Sequence, residues 1–183
     1  MRLKIILCVF IFTQYVTVVD GSTCSAGSYG TNGQSPCSPC PAGRYALDRG
    51  STTCTDCGKG RYSDAGMGGC YICLAGTVSN GQPSLTASSS CLSCPKGTYS
   101  YSGDATCIDC KAGKYSTTAA ASSACEMCPA GTSSSTVAAV SANTCQNCPM
   151  DSYSNANGSA ACTACKEGTY SHTVGATGCF ACD

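Results

Sequence analysis

Large apolar side chains fall into two regimes along this chain. Residues 1–21 open with the basic Arg2 and Lys4, run apolar without a break from Ile5 to Phe12, and turn to small or neutral residues before Ser22. That is the pattern of a secretory signal peptide, with Val19 and Gly21 at the positions a signal peptidase reads; the run is too short to span a bilayer. From Ser22 onward only fourteen large apolar residues remain, four Val, two Ile, four Leu, one Phe and three Met, and no 3.6-residue apolar period appears. The mature chain is therefore expected to contain little or no helix and no continuous hydrophobic core. Something other than burial must hold the fold.

What recurs is a landmark pattern. A cysteine is followed by Gly three residues on, an aromatic five on, a polar loop, and then a pair of cysteines three apart, as in Cys94, Gly97, Tyr99, Cys107 and Cys110. Nine such modules open at Cys24, Cys40, Cys57, Cys73, Cys94, Cys110, Cys128, Cys148 and Cys165, and they fill residues 22–183. The Gly is kept in eight, with Asp151 the exception, and the Tyr in seven, with Val78 and Ser133 the exceptions. A period of 16 to 21 residues with fixed landmarks marks a quasi-one-dimensional array. The first Gly supplies a turn conformation closed to most residues, and Asp tolerates the left-handed region better than most replacements. Four residues before each closing cysteine sits a second small residue: Gly33, Gly50, Gly66, Ala87, Gly103, Ala121, Ser141, Gly158 or Gly175. It is expected to reverse the chain before a strand that reaches the closing cysteine. The Tyr and the Ser or Thr after it favour short extended backbone. Each module thus reads as a small irregular β-hairpin, and the whole as an elongated, small disulfide-rich tandem array.

Two departures travel together. The loops Cys73 to Cys91 and Cys128 to Cys145 hold 17 and 16 residues between cysteines against 12 to 14 elsewhere, and they are the two that lack Tyr. They belong to modules four and seven, which points to a higher-order unit of three modules. Longer loops add little closure entropy. These two are where a surface contact could vary, or they are solvated loops and nothing more.

Cysteine makes up 20 of 183 residues, above the level that marks a disulfide scaffold. Cys8 would leave with the signal peptide, and secretion favours disulfides over free thiols. The C-x2-C pairs approach zinc-ribbon spacing, but the chain has a single His, His172, and the compartment argues against zinc. Thioredoxin-like chemistry would need a helix after the pair. Structural disulfides are the favoured reading, with a metal-thiolate protein as a third choice. Cys24 and Cys182 each lack a neighbour three residues away on the side where the other pairs have one. If each bridge closes one Gly-Tyr loop, the pairs are Cys24–Cys37, Cys40–Cys54, Cys57–Cys70, Cys73–Cys91, Cys94–Cys107, Cys110–Cys125, Cys128–Cys145, Cys148–Cys162 and Cys165–Cys179, with Cys182 left over. An interleaved pairing of successive C-x2-C pairs is the open alternative.

Charge excludes two partner classes. From Ser22 the chain has eight Lys and Arg against nine Asp and Glu, a net charge of −1, with no basic patch for nucleic acid or an anionic membrane. The acids are scattered singly, and no nucleophile elbow or phosphate loop appears, so no enzyme and no cofactor is expected. Asn157-Gly158-Ser159 is an N-glycosylation sequon and equally a turn signal. His172 reads as a solvated side chain.

The string C-P-x-G-T-Y-S, loop, C-x-x-C resembles the cysteine-rich repeat of ephrin-receptor-type ectodomains and of many extracellular proteins of protists. One loop is similar to the single-disulfide half-module of tumour necrosis factor receptors, which by analogy supports the loop-closing pairing. CPAGT at Cys128 to Thr132, a long loop and two Tyr-containing modules are similar to ciliate immobilisation-type surface antigens. These resemblances imply an extracellular repeat protein without implying a ligand, because such repeats serve receptors, adhesins and coats alike. The receptors' ligand-binding and kinase domains have no counterpart in these residues. The antigens usually end in a hydrophobic tail for a lipid anchor; CFACD offers none, so the expectation is a secreted protein or a reading frame that extends past Asp183. The leading expectation is a secreted or cell-surface coat, spacer or antigen. The alternative is a receptor-type or adhesive module that recognises a protein or glycan through the long loops. Cys182 could link two chains in a disulfide dimer.

Overall fold

The computed structural model describes residues 21–87, 90–122 and 124–183. Residues 1–20, and with them Cys8 and nearly all of the expected signal segment, lie outside the described residues. Among the described residues eighteen short strands pair into nine antiparallel two-stranded hairpins, and no α-helix is present. Single 3-10 turns occur at Thr31–Gly33 and Ala142–Thr144. The protein is an all-β, disulfide-stapled tandem array.

Each hairpin follows from the landmarks. In module five the outgoing strand is Thr98–Tyr99, just after the Gly97 turn, and the return strand is Ile108–Asp109. Tyr99 stands opposite Ile108, and the Cys110 N–H donates to the Gly97 carbonyl at 2.9 Å to close the ladder. The same arrangement recurs from Arg44–Tyr45 with Thr55–Asp56 through Thr169–Tyr170 with Phe180–Ala181. The return strand was expected to run up to the closing cysteine. Instead it begins at or after that cysteine, on the residues between the two members of each C-x2-C. A strand there lets the closing cysteine face its own opening partner while the next cysteine turns into the following module.

A second expectation also changes. The left-handed residue four before the closing cysteine holds for Gly33, Gly50, Gly66, Gly103, Gly158 and Gly175, but in modules four, six and seven the positive φ falls on Ser84, Ala120 and Ala138. Ser141 lies at φ −150°, and neither Ala87 nor Ala121 has positive φ. Most of the extra residues of these loops are inserted after the reversal, which across the modules lies 9 to 11 residues from the opening cysteine but 4 to 7 from the closing one.

Nine disulfides run in tandem along the array, each joining cysteines 13 to 18 residues apart. Their Cα separations of 5.5 to 5.9 Å sit at the centre of the range a disulfide accepts. They supply the interior. The opening cysteines from Cys24 to Cys148 are at most 1% exposed, joined by Ala46, Val78, Ala139 and a run of buried serines. Apart from Val78, the large aliphatic residues are half-buried or exposed, with Leu47, Leu74, Met150 and Val174 all more than 60% exposed. The array is built around sulfur and backbone, not around a hydrocarbon core.

Candidate functional site

The most regular feature of the molecule is the junction between modules. Three backbone hydrogen bonds make it. Between modules five and six, the Gly97 N–H donates to the Ser116 carbonyl at 2.9 Å, the Ser100 N–H to the Ala121 carbonyl at 3.2 Å, and the Ala120 N–H to the Cys94 carbonyl at 2.7 Å. The same triplet joins modules six and seven through Gly113 to Ser134, Ser116 to Ala139 and Ala138 to Cys110. Minor variants occur: the Gly60 N–H donates to Ser79 Oγ rather than to its carbonyl, and Asp151 takes the Gly position in donating to the Ser171 carbonyl. All inter-module hydrogen bonds among the described residues join adjacent modules.

A further contact reaches past the neighbour. A Cβ added at Gly97 would overlap the carbonyl oxygen of Ala138, two modules on; one at Gly60 would overlap that of Gly103, and one at Gly113 that of Gly158. Gly27, Gly43, Gly76 and Gly131 meet Gly66, Ser84, Ala120 and Gly175 in the same way. The opening glycine is therefore fixed twice, by a φ near +80° and by lack of room. Asp151 takes the same left-handed conformation at φ +59°.

Sequence reasoning missed the burial of the residue after the Tyr. Ser63, Ser79, Ser100, Ser116, Ser134, Ser154 and Ser171 are all 5% exposed or less, and each sits at a junction. Their hydroxyls are satisfied locally or across the junction, as where Ser63 Oγ donates to the Arg44 carbonyl at 3.0 Å. The signal was the unbroken smallness of this position, Gly30 or Ala46 where it is not Ser.

Two of the landmark tyrosines border the next module. Tyr45 shares a cleft with Cys70, and Tyr62 shares one with Thr77 and Cys91, the closing cysteine of the following module in each case. Tyr62 also lies 5.6 Å, centroid to centroid, from Tyr71 across its own hairpin. Tyr115 stands opposite Glu126, and hydrogen bonding to that carboxylate raises the phenol pKa above its ordinary value, with smaller contributions from desolvation and charge repulsion. In module seven the smaller Ser133 places its Oγ 3.2 Å from Cys162 Sγ.

The other singled-out residues are spread along the array. Asn157 is exposed, and its Oδ1 accepts from the Ala130 N–H at 2.9 Å, a side-chain strut across the junction of modules seven and eight. Ser159 Oγ donates to the Ala156 carbonyl and accepts from Ser154 Oγ. His172 is grouped with Tyr170 and Phe180, with ring centroids 5.6 to 6.2 Å apart, on the exposed side of module nine. Cys182 is exposed and free, while its N–H donates to the Gly168 carbonyl as the opening cysteines do. Among the described residues no three His, Cys, Asp or Glu side chains converge as a metal site would require, and no helix is long and apolar enough to cross a membrane. Over the described residues the geometry offers repeated docking of like on like.

A family model described as "Tyrosine-protein kinase ephrin type A/B receptor-like" matches residues 27–64, 97–145 and 136–182. These segments together span about two thirds of the chain. Module four, with Val78 in the Tyr position and the longest loop, lies between the first two matches. No curated protein matches the chain significantly. With its nine tandem disulfide loops and Gly-Tyr hairpins, the chain belongs to the ephrin type A/B receptor-like cysteine-rich repeat family.

Proposed function

We propose that this protein is a secreted or cell-surface, non-enzymatic spacer or coat element whose working property is a fixed, stiff length. The observation that carries the reading is the junction. Three hydrogen bonds recur at eight successive boundaries, with one made to Ser79 Oγ between modules three and four and one made by Gly81 between modules four and five, and each opening glycine from module one to module seven packs against the module two places on. Flexible multi-domain chains join their units through linkers with few contacts. Here the nominal linker is itself a strand of the hairpin. Membership in a receptor-type extracellular repeat family and the density of disulfides support an extracellular setting.

On this reading residues 1–21 are removed on secretion and residues 22–183 form the mature array. Asn157 carries an N-glycan, a reading supported by the sequon, by the exposure of the residue and by a strut made through Oδ1. Imaging of a tagged protein on intact cells tests the placement: signal only after permeabilisation contradicts it. A mobility shift on enzymatic deglycosylation, absent in Asn157→Gln, tests the glycan.

A second reading, an extracellular module that binds a protein partner, is favoured by one observation. In module seven the side chain that would cover the next disulfide is Ser133, and a groove lies open there.

A further inference from the structure

The clefts beside the landmark tyrosines differ in size in a way their sequences explain. With Tyr45 in place, the cleft bounded by Cys70 holds about 280 Å3, and with Tyr62 in place, the cleft bounded by Cys91 holds about 150 Å3. With Ser133 in the same position, the corresponding open groove against Cys162 holds about 520 Å3. Pro149, Ala160, Ala161 and the Cys148–Cys162 disulfide give it apolar surface, and Thr144 and Gln146 add polar groups. No charged side chain lines it, and module seven, residues 128–147, contains no Lys, Arg, Asp or Glu at all.

We infer that this groove is a docking slot for a tyrosine side chain carried by a partner protein. The chain itself displays the chemistry that fills such a slot, because the equivalent position is a tyrosine in seven of the nine modules. A phenol ring has an apolar body for the alanine, proline and disulfide surface and one hydroxyl for the polar groups. The absence of charge disfavours lysine, arginine or carboxylate anchors, which would lose hydration without gaining a partner. This inference is independent of the spacer reading, since a stiff array gains a fixed attachment point without altering its junctions.

The test uses the oxidised full chain, isotope-labelled for nuclear magnetic resonance, and p-cresol as the side-chain probe. Saturable shifts are expected at the amides of Ser135, Gln146 and Ala161, with a midpoint in the millimolar range typical of so small a ligand. In Ser133→Tyr, which restores the majority residue and so preserves the hairpin, the midpoint should rise at least about tenfold. Ala161→Leu, filling the groove from the module-eight wall, should weaken the probe likewise. Three results would overturn the inference: no saturable shift at these amides, an unchanged midpoint in both variants, or shifts there with methyl glucoside but not with p-cresol.

Discussion

Gly97 and Gly168 occupy equivalent positions with φ values of +79° and +76°, yet their surroundings differ. A Cβ on Gly97 would overlap the Ala138 carbonyl, whereas one on Gly168 would meet nothing within 4 Å. Gly168→Ala should therefore cost only the left-handed backbone penalty, roughly 1–2 kcal/mol. Gly97→Ala must in addition displace the backbone two modules on, and should lower the melting temperature clearly further. Equal losses in the two variants would show that the long-range contact contributes nothing. Tyr115 offers a separate check at the same scale. Removing the carboxylate in Glu126→Gln should bring the phenol pKa down towards its ordinary value, read by its ultraviolet titration, while Asp109→Asn in the preceding module should leave it unmoved.

The hairpin is the scale at which the sequence was most and least informative. The Gly-x-Tyr spacing announced the outgoing strand, because a turn residue followed by an aromatic and a small polar residue has few other uses. The return strand stayed hidden. Residue pairs as unlike as Thr55–Asp56, Tyr71–Ile72 and Gln146–Asn147 all form it, since a two-residue strand fixed by a disulfide on one side and a buried cysteine on the other needs no β-propensity of its own. The reversal at Ser84, Ala120 and Ala138 was equally illegible: with the backbone position dictated by junction bonds, a non-glycine residue is carried into the left-handed region. For the same reason the burial of Ser100 and its equivalents could not be read from polarity. A single loop should be separable in energy. Replacing Cys94 and Cys107 together by Ser removes a 13-residue closure and should cost about 3 kcal/mol in the chain-entropy picture. Hydrogen exchange should show the loss centred on modules four to six; uniform protection along the array would contradict such local coupling.

At the scale of the molecule, stability is close to a sum of module and junction contributions, as in other repeat arrays. The difference lies in the missing hydrocarbon core. With the interior made of disulfides, buried serines and backbone, full reduction should abolish protease resistance and the folded circular-dichroism spectrum together. A reduced chain that retains both would place the folding energy elsewhere. On the docking proposal, the loss of the landmark Tyr at Ser133 would open a site while the backbone bonds of the adjoining junctions stay in place. The central claim is that closely similar junctions turn nine loops into one stiff linear stack, and small-angle X-ray scattering tests it most directly. Deleting residues 73–127 removes three of the nine modules at matching junction positions. The maximum dimension of the array should then fall by about one third while its cross-section radius stays constant. A cross-section that shrinks along with the length, as for a compact particle, or a scattering curve of a flexible chain before and after deletion, would contradict the account.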